Sequence, residues 1–335
     1  MRLAIGAGYR TVVLDKLGYA ANLRNLDAVA GSAGYSFVKG DIGDSALVGR
    51  LLEEQTPAAI VNFAAETHVD RSIDDPSGFL QSNVDGFFRL LEVLRSRAKS
   101  APPVRLLHIS TDEVYGPIES GMASEDAPFR PSSPYAASKA AADCLARAYV
   151  RTYGAPIVIA RCSNNYGAYQ FPEKLIPLMI VRALGEQSLP VYGDGLQERD
   201  WILVDDCCAA LLRVLERGQA GREYNIGGGR TQSNRDTVFL VCQILDRLRP
   251  RPSGRPYVDL IKHVTDRPGH DRRYAIDSQR CRNEIGWEAT TPFERGLHDT
   301  VAWYLQNEAW WRELLTTRYD GRRLGTGAPE PVRTT

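Results

Sequence analysis

Residues 110–116, with the sequence STDEVYG, place a hydroxyl group, two adjacent carboxylates and a phenol next to one another. They follow the apolar run of residues 104–109, which we expect to form a buried strand. Because two neighbouring carboxylates hinder each other's ionisation, one of Asp112 and Glu113 can stay protonated while the other acts as a base. The stretch is therefore a candidate acid–base centre, and a solvated turn is the alternative.

A second stretch, SPYAASK at residues 133–139, carries another pair of reactive side chains. Ser133 can cap a helix that has Pro134 at its first position, so that Tyr135 and Lys139 lie on one helical face. A nearby ammonium group favours phenolate and lowers the pKa of a tyrosine, which predicts a general base near neutral pH. The spacing is common by chance, and a surface Tyr–Lys contact would give the same pattern.

The elements that position these residues follow from the alternation of short apolar runs with helical patterns. Residues 11–14, 60–63, 104–109 and 157–160 are predicted strands, and residues 44–54, 78–97 and 135–153 are predicted helices. Strands that are apolar throughout and separated by helices indicate a parallel sheet covered on both faces. We predict an α/β fold, a doubly wound parallel sheet with a smaller, interleaved α/β lobe.

The pattern loosens after residue 165, with further strands predicted at residues 201–204 and 223–226. We therefore expect a first domain over residues 1–165, to which residues 199–226 return, and a second lobe over residues 166–320. Residues 321–335, which include the polar end GTGAPEPVRTT, are predicted to be a disordered tail.

Three polar clusters follow predicted strands: AAETHVDRS at 64–72, STDEVYG at 110–116 and RCSNNYG at 161–167. Ligands of open α/β sheets bind beyond the carboxyl ends of the strands, so we expect the clusters to converge on one edge. Asp15 ends the strand at 11–14, where an acidic residue accepts hydrogen bonds from an adenosine ribose or simply forms a turn or cap. Asp41 follows YSFVKG, and the same two interpretations apply to it, as a cofactor ligand or as a turn or cap residue. As a ligand it would contact the adenine.

Composition excludes several classes of function. Lys plus Arg and Asp plus Glu number 41 each in 335 residues, so no net charge draws the protein to nucleic acid or a membrane surface. No apolar run approaches the ~18 residues of a membrane span, and MRLAI lacks the features of a signal peptide. No cysteine pair has C-x-x-C spacing, so we predict no metal site. Reduced thiols in a cytoplasmic protein are favoured over disulfides for Cys144, Cys162, Cys207, Cys208, Cys242 and Cys281.

A Ser-Thr strand exit followed about twenty residues later by Tyr-x-x-x-Lys resembles the extended short-chain dehydrogenase/reductase superfamily, which has a Rossmann-like fold. Within it, the Thr-Asp-Glu sequence at 111–113 resembles the dTDP-glucose 4,6-dehydratase family. Sugar-nucleotide epimerases of the superfamily usually lack acids at both positions. The resemblance runs from about residue 11 to about residue 311 and includes AAETHVDRS, NNYGAYQFPEKLIP (164–177), YGDGLQERDWI (192–202), YNIGGG (224–229) and DRPGHDRRYAID (266–277).

The resemblance implies an NAD-dependent lyase that removes water from a nucleoside-diphosphate glucose, most readily dTDP-glucose, to give the 4-keto-6-deoxy sugar. It implies Glu113 as the base at C5, Asp112 as the acid at C6 and Thr111 as the hydroxyl that positions O4. Tyr135 would take the C4 hydroxyl proton while hydride passes to NAD and later returns to C6. Lys139 would hold the ribose and tune Tyr135.

The same resemblance implies two sets of ligand-binding residues. The cofactor set consists of Gly6, Gly8, Asp15, Lys16, Asp41, Ile42, Ala64, Ala65, Tyr135, Lys139, Cys162 and Asn164. The substrate set consists of Glu66, His68, Asn165, Glu173, Lys174, Leu175, Arg199, Asn225, Arg267 and His270. Arg199 and Arg267 suit diphosphate oxygens, because a guanidinium fork matches phosphate geometry. For His270, the alternative to substrate binding is a structural role in its loop.

The N-terminus departs from the family pattern of strand, glycine-rich loop, full helix and second strand. We predict a strand at residues 1–5, and only GAGYR separates it from the strand at 11–14. A parallel crossover needs about a dozen residues. Two interpretations stay open: either a loop and helix are missing from within the sequence, or the chain is shortened there and loses the helix N-terminus that would bind the NAD diphosphate.

Alternative functions are a nucleotide-sugar epimerase or decarboxylase of the same superfamily, and a non-catalytic sugar-nucleotide-binding protein if the shortened N-terminus is genuine. The resemblance also implies a homodimer built on the helices at 78–97 and 136–153. The sequence leaves open thymidine versus another base and the deoxysugar that the product supplies.

Overall fold

The computed structural model describes residues 1–319 and 324. The predicted tail at residues 321–335 therefore lies, apart from Leu324, outside the described residues. The strands are β1 (Thr11–Asp15), β2 (Tyr35–Lys39), β3 (Ala59–Asn62), β4 (Arg105–Thr111), β5 (Ile157–Cys162), β6 (Asn164–Tyr166), β7 (Leu189–Tyr192), β8 (Glu198–Leu203), β9 (Glu223–Ile226), β10 (Thr231–Ser233) and β11 (Ile261–Val264).

The α-helices are α1 (Arg2–Gly6), α2 (Ser45–Gln55), α3 (Val69–Asp74), α4 (Ser77–Phe79), α5 (Phe87–Arg97), α6 (Pro134–Tyr153), α7 (Leu175–Leu184), α8 (Val204–Arg217), α9 (Asn234–Leu248), α10 (Phe293–Gln306) and α11 (Glu308–Thr317). Tighter 3₁₀ turns occupy Leu23–Val29, Asp112–Tyr115 and Tyr257–Leu260, and wider π-helical segments occupy Leu80–Gly86 and Cys281–Ile285.

The central sheet consists of parallel strands in the order β3–β4–β5–β9. Every residue of β5 is buried, as expected for a strand covered on both faces. One face packs on apolar side chains of α8, and the other packs on side chains of α2, α5 and α6. The predicted α/β fold with helices on both sides of a parallel sheet is confirmed.

A second parallel pair, β1–β2, continues the alternation of strand and helix at the N-terminal side. Among the described residues β1 is not hydrogen-bonded to β3, so the pair is separate from the central sheet. Leu14 of β1 nevertheless packs against the same apolar cluster as Ile60 of β3. The carboxyl end of β1, at Asp15, is therefore joined to the central sheet through side chains rather than through a strand ladder.

The remaining strands form a smaller α/β lobe with its own core. Strands β6, β8 and β10 make one short sheet and β7 and β11 another. Their helices α7, α9, α10 and α11 enclose a large apolar and aromatic cluster. β9 joins the central sheet while β8 pairs with β6, so the chain passes between the two parts. A boundary near residue 165, with residues 199–226 returning, stays our prediction.

The predicted strand at residues 1–5 is wrong, because Arg2–Gly6 is a helix that leads into β1 through a turn. Gly6 ends that helix, and Gly8 adopts φ +88° in the turn. A helix followed by a strand needs no crossover within GAGYR. The two interpretations, a missing and a shortened segment, stay predictions, whereas Gly6 and Gly8 do not form the turn after a strand that cradles a diphosphate.

Helix α6 begins where its sequence predicted, since the Ser133 side chain accepts a hydrogen bond from the backbone N–H of Ala136 and Pro134 occupies the first turn. None of the helices in the described part of the chain is both long and apolar enough to cross a membrane. All six cysteines are unpaired thiols.

Candidate active site

Thr111 ends β4 and begins the turn that carries the two carboxylates. It lies opposite Cys162 in the ladder between β4 and β5, so both residues are at the same edge of the sheet. The Thr111 Oγ1 atom accepts a hydrogen bond from the backbone N–H of Glu113 at 3.3 Å and donates one to Asp112 Oδ1 at 3.2 Å. The predicted strand exit is thus a capped 3₁₀ turn that fixes the direction of both acids.

The carboxyl group of Asp112 is almost completely buried. The residue is 2% exposed, and its Oδ2 atom has no hydrogen-bond partner among the described residues. Burial raises the pKa of Asp112 well above its ordinary value, and the nearby charges of Glu113 and Asp200 raise it further. These effects favour the protonated form of Asp112, which a proton donor requires.

The carboxyl group of Glu113 faces cations as well as the protein interior. Burial raises the pKa of Glu113, while the positive charges of Arg267, Arg199 and Lys174 oppose that rise. These cations favour the ionised form of Glu113. The turn therefore presents one carboxyl group that retains its proton beside another that has positive charges to stabilise its anion.

Tyr135 and Lys139 lie in the first turns of α6 and are both buried. Lys139 Nζ donates a hydrogen bond to the carbonyl oxygen of Ile109 in β4 at 2.7 Å. Burial lowers the pKa of Lys139 to about 8, with the charges of Asp143 and Cys162 opposing the change. The pair thus stands directly against the strand that carries Thr111.

The expectation that the pKa of Tyr135 is lowered overall is wrong for this arrangement. Burial raises the pKa of Tyr135, and the negative charges of Glu113 and Asp112 add to the rise. A hydrogen bond with the Thr111 side chain acts in the opposite direction. The sequence could not show this outcome, because it depends on how tightly α6 packs over the carboxylate turn.

Asn83 is a site residue that sequence reasoning missed. It lies in the π-helical segment before α5, where its side-chain amide donates to Ser138 Oγ at 2.9 Å and to the Glu66 carbonyl at 3.0 Å. Its Oδ1 atom accepts from the backbone N–H of Glu66 at 2.8 Å. Asn83 therefore ties the polar segment after β3 to the helix of Tyr135. Nothing in the spacing of the sequence signals it, although π-helical segments are frequent at functional sites.

Residues predicted for an adenosine gather at the ends of β1 and β2. Asp15 accepts a hydrogen bond from the Leu17 N–H at 2.7 Å, and Asp41 accepts one from the Gly43 N–H at 2.8 Å. Lys16 Nζ lies 3.7 Å from Asp41 Oδ2 and 3.8 Å from Glu66 Oε1. The lysine thereby joins the edge of the β1–β2 pair to the exit of β3.

Three further residues of the predicted set line this edge. Ile42 packs beside Gly86, and the Ala64 N–H donates to Asn62 Oδ1 at 3.2 Å. Ala65 follows directly in the same segment and leads to Glu66. The carboxyl edge therefore offers carboxylates, an ammonium group and small side chains in one continuous strip.

A second polar group lies where α3 meets the smaller lobe. Glu173 accepts hydrogen bonds from Tyr19 at 2.8 Å and from Arg71 at 3.2 Å, and it lies 3.9 Å from His68 Nε2. Burial lowers the pKa of His68 well below its ordinary value, and the charges of Lys174 and Arg71 lower it further. His68 is therefore neutral, and Glu173 is neutralised by Arg71.

Lys174 and Arg267 bring positive charge from the smaller lobe towards Glu113. Lys174 Nζ donates to the Thr67 carbonyl at 2.8 Å, just ahead of helix α7, which begins at Leu175. Arg267 forms an ion pair with Asp70. His270 Nδ1 lies 2.6 Å from Asp266 Oδ1, and burial lowers the pKa of His270 to about 4. A neutral His270 bonded to its own loop matches the structural role weighed for it.

Arg199 lies on β8 and is 5% exposed. Its guanidinium donates to the backbone carbonyl of Asp271 at 3.1 Å and lies 4.5 Å above the Tyr274 ring. Burial lowers the pKa of Arg199, while the negative charges of Glu113 and Asp112 oppose this change.

Asp200, Asp271 and Tyr274 also lie near these groups but were not predicted as site residues. All three stand in the motifs YGDGLQERDWI and DRPGHDRRYAID, where attention to each acid and phenol could have found them.

Asn225 does not reach the cleft, which contradicts its predicted role as a substrate ligand. It has no exposed surface, and its side chain binds the Tyr115 hydroxyl at 2.8 Å and the Ala123 carbonyl at 3.0 Å. Because a neighbouring strand and loop satisfy the hydrogen bonds of its amide, Asn225 has a structural role.

Asn165 is half-buried and donates to the Ser163 carbonyl at 3.0 Å, and the buried Oδ1 atom of Asn164 has no partner in the described chain.

The arrangement fits a dinucleotide at its two ends. Asp15 and Asp41 offer acceptors for an adenosine, while Tyr135 and Lys139 stand at the far side of the edge beside Thr111 and Cys162. Gly6 and Gly8 do not fit the part assigned to them, because they belong to α1 and its following turn. Over the described ranges, no group of His, Cys, Asp and Glu side chains is placed to hold a metal ion.

The chain matches the sequence family described as GDP-mannose 4,6 dehydratase over residues 1–300. A dTDP-glucose 4,6-dehydratase of Xanthomonas campestris is 52% identical over 328 residues, which cover 96% of this chain and 93% of that protein. Both comparisons extend across the central sheet and the smaller lobe.

Solved structures are similar over the same extent. The dTDP-glucose 4,6-dehydratase of Streptomyces venezuelae, solved with NAD bound, has 43% identity and a TM-score of 0.86, covering 93% of this chain and 94% of that one. The Bacillus anthracis dTDP-glucose 4,6-dehydratase in complex with NAD has 42% identity and a TM-score of 0.83, with coverage of 93% and 94%.

Proposed function

Because the chain belongs to the GDP-mannose 4,6 dehydratase family, we propose that it dehydrates dTDP-glucose to the 4-keto-6-deoxy sugar nucleotide with NAD as cofactor. One observation carries the assignment of the chemistry: the Asp112 carboxyl group is buried with an Oδ2 atom that has no partner among the described residues, which favours its protonated form, directly beside Glu113, which is near the positive charges of Arg267, Arg199 and Lys174. This is the arrangement that an elimination needs, with one donor and one acceptor of protons in the same site.

The first step is oxidation at C4, which makes the C5 hydrogen acidic. Tyr135 must be ionised for this step: its phenolate takes the proton of the C4 hydroxyl and becomes the phenol, and the Thr111 hydroxyl, which is hydrogen-bonded to Tyr135, orients O4. The positive charge of Lys139 favours the phenolate form of Tyr135, which must be present before the proton is taken. The chemistry that NAD supplies when bound is to accept hydride from C4 and return it to C6.

The second step is the loss of water across C5 and C6. Glu113 removes the C5 proton, and its carboxylate is supported by Arg267, Arg199 and Lys174 before the proton arrives. Asp112 gives its proton to the departing C6 hydroxyl, which leaves as water. Glu113 then returns a proton to C5 as hydride reaches C6, so that the cofactor ends the cycle unchanged.

The substrate diphosphate is assigned to cations of the smaller lobe. Arg199, Arg267 and Lys174 supply the positive charge, and guanidinium groups match phosphate geometry. Glu66, His68, Glu173 and Asn165 border the same region, and Leu175 begins the helix that follows Lys174. These assignments are supported by where the residues lie and by the charge of their side chains. The same holds for the cofactor set, which consists of Asp15, Lys16, Asp41, Ile42, Ala64 and Ala65.

The alternative functions are less well supported. Sugar-nucleotide epimerases of the superfamily usually lack acids at both positions after the Thr, whereas this chain has Asp112 and Glu113 there. The non-catalytic alternative rested on a shortened N-terminus, and it is not favoured because the relatives that match nearly the whole chain are dTDP-glucose 4,6-dehydratases.

We further propose that two copies of the chain associate and that the protein works in the cytoplasm. The association is supported by exposed apolar side chains on the helical stretch 78–97 and on α6, which include Leu80, Phe88 and Tyr153. The location is supported by six unpaired thiols, four of which are buried.

The function is tested by incubating the purified protein with dTDP-glucose and NAD. We expect conversion to a product that has lost one water, with no accumulation of reduced nicotinamide because the hydride is returned. Replacing the substrate with UDP-glucose or GDP-mannose measures the preference for the base. Stoichiometric release of NADH, or inversion at C4 without loss of water, would contradict the proposal.

A further inference from the structure

Arg161 is the largest fully buried side chain of the described residues, and no step of the reaction above uses it. It lies on β5 one residue before Cys162, and it has no exposed surface. Burying a guanidinium group costs free energy unless it is paired and hydrogen-bonded. Its partners therefore indicate what the charge does at this position.

One partner connects Arg161 to the helix of the proton-transfer pair. Arg161 Nε donates to Asp143 Oδ2 at 2.7 Å, and Asp143 is itself fully buried. Asp143 follows Lys139 by one turn of α6, and its charge raises the pKa of Lys139 against the effect of burial. Asp143 is thus the anion that balances the Lys139 ammonium, and Arg161 holds it.

A second partner connects Arg161 to the carboxylate turn, and a third, Glu223 on β9, has its Oε2 atom 2.7 Å from Arg161 Nη2. Arg161 Nη1 donates to the Tyr115 hydroxyl at 2.9 Å, and Tyr115 is the last residue of the turn that begins with Asp112. The Tyr115 hydroxyl in turn donates to Asn225 on β9 at 2.8 Å. The far end of the turn is therefore tied to the central sheet through this phenol.

We propose that Arg161 is a positioning residue that couples the two halves of the active site. Through Asp143 it sets the environment of Lys139, and through Tyr115 it fixes the turn that carries Asp112 and Glu113. The proposal rests on the dehydratase function, because only there do the two halves act in separate steps. Oxidation at C4 belongs to the first half and elimination to the second.

Two substitutions separate the two connections. Tyr115→Phe removes one oxygen and leaves the Arg161–Asp143 pair intact. Asp143→Asn removes the charge beside Lys139 and leaves the Tyr115 contact intact. Arg222→Gln is the matched control, because the Arg222 side chain pairs with Glu284 at the surface and forms no hydrogen bond or ion pair with Arg161, Asp143 or Tyr115 among the described residues.

The experiment measures two partial reactions of each variant with dTDP-glucose in deuterated water. Transient absorbance of reduced nicotinamide reports C4 oxidation, and incorporation of deuterium reports proton exchange at C5. The ratio of exchange to oxidation is independent of the fraction of enzyme that is folded. The parent must first yield the dehydrated product, and a parent that does not do so refutes the proposed function rather than this inference.

With an active parent, we expect Tyr115→Phe to lower the ratio of C5 exchange to C4 oxidation by about tenfold or more, within the ~10²-fold that a 1 Å misplacement can cost. Asp143→Asn should slow C4 oxidation by a similar factor and leave the ratio unchanged, and Arg222→Gln should match the parent. An unchanged ratio of C5 exchange to C4 oxidation in Tyr115→Phe, or an undiminished rate of C4 oxidation in Asp143→Asn, would overturn the proposal.

Discussion

Asp112 and Glu113 are adjacent in the chain, yet their carboxyl groups lie in different electrostatic environments. Asp112 Oδ2 is buried without a partner in the described residues and feels the negative charges of Glu113 and Asp200. Glu113 feels the positive charges of Arg267, Arg199 and Lys174. A single 3₁₀ turn therefore separates an acid from a base, and this difference leads to distinct predictions for the two residues.

Replacing Asp112 with Asn should block departure of the C6 hydroxyl while C5 exchange continues, because the base remains. The expected loss of turnover is ~10²–10⁴-fold, the range typical of general acid–base groups. The measurement is turnover and C5 deuterium exchange in the same sample. If Asp112→Asn retained more than about a tenth of the parent's turnover, Asp112 would not be the acid.

The same substitution should stabilise the fold, and the gain should grow with pH. Burial raises the pKa of Asp112 in the folded state above its unfolded value, so its contribution to stability is present at acidic pH and is lost as pH rises through the folded-state pKa. Asn does not titrate, so Asp112→Asn should unfold at a higher temperature near neutral pH, with a smaller gain near pH ~4, the ordinary aspartate value.

Thermal unfolding of Asp112→Asn and of the parent across this pH range measures whether the substitution raises or lowers the unfolding temperature. Glu119→Gln, at an exposed loop position, is the matched control and should track the parent. A variant that is less stable than the parent at neutral pH would show that the buried carboxyl group is well satisfied in the native protein.

The rate of C4 oxidation should fall as pH rises through about 8, because that is where Lys139 loses its proton. The ammonium group stabilises the Tyr135 phenolate, and the neutral amine does not. Lys139→Met should lose ~10²-fold or more in this step and should lack a fall near that pH. Lys262→Met, at an exposed position on β11, is the control. A parent profile that stays flat well above this pH would exclude Lys139 from the role.

The proposed homodimer should be disrupted by charge on the exposed apolar face before and along α5. The double substitution Leu80→Glu and Phe88→Glu would place two desolvated carboxylates in the contact, so we expect the mass measured by light scattering at micromolar concentration to halve. Phe239→Glu, on an equally exposed apolar position of α9, should leave the mass unchanged. A parent that is already monomeric under these conditions would refute the association.

Much of the sheet and the reactive centre could be predicted from the sequence because local patterns encode them. The strands β1, β3, β4, β5 and β9 follow apolar runs, and their observed limits lie close to the predicted ones. The capped start of α6 follows from Ser133 and Pro134, so the joint presence of Tyr135 and Lys139 on its first turns was also predictable.

Other features depend on packing that no local pattern encodes. The short apolar run at residues 3–5 is compatible with a strand or a helix, so the predicted strand was wrong and the structure has a helix there. The raised pKa of Tyr135 follows from the number of charges and apolar groups around it in the fold. Asn225 sits in a family motif, yet its side chain turns into the sheet towards Tyr115. Asn83 hydrogen-bonds to Glu66 and Ser138 from a π-helical segment that no sequence pattern predicts.

The central claim is that Glu113 is the C5 base, and Glu113→Gln tests it most directly. We expect this variant to oxidise C4, so that reduced nicotinamide appears and persists, while C5 deuterium exchange falls ~10²–10⁴-fold because no group remains to take the proton. Asp112→Asn, measured in parallel, should retain C5 exchange. Exchange at C5 in Glu113→Gln at the rate of the parent would contradict the account, even if overall turnover had collapsed.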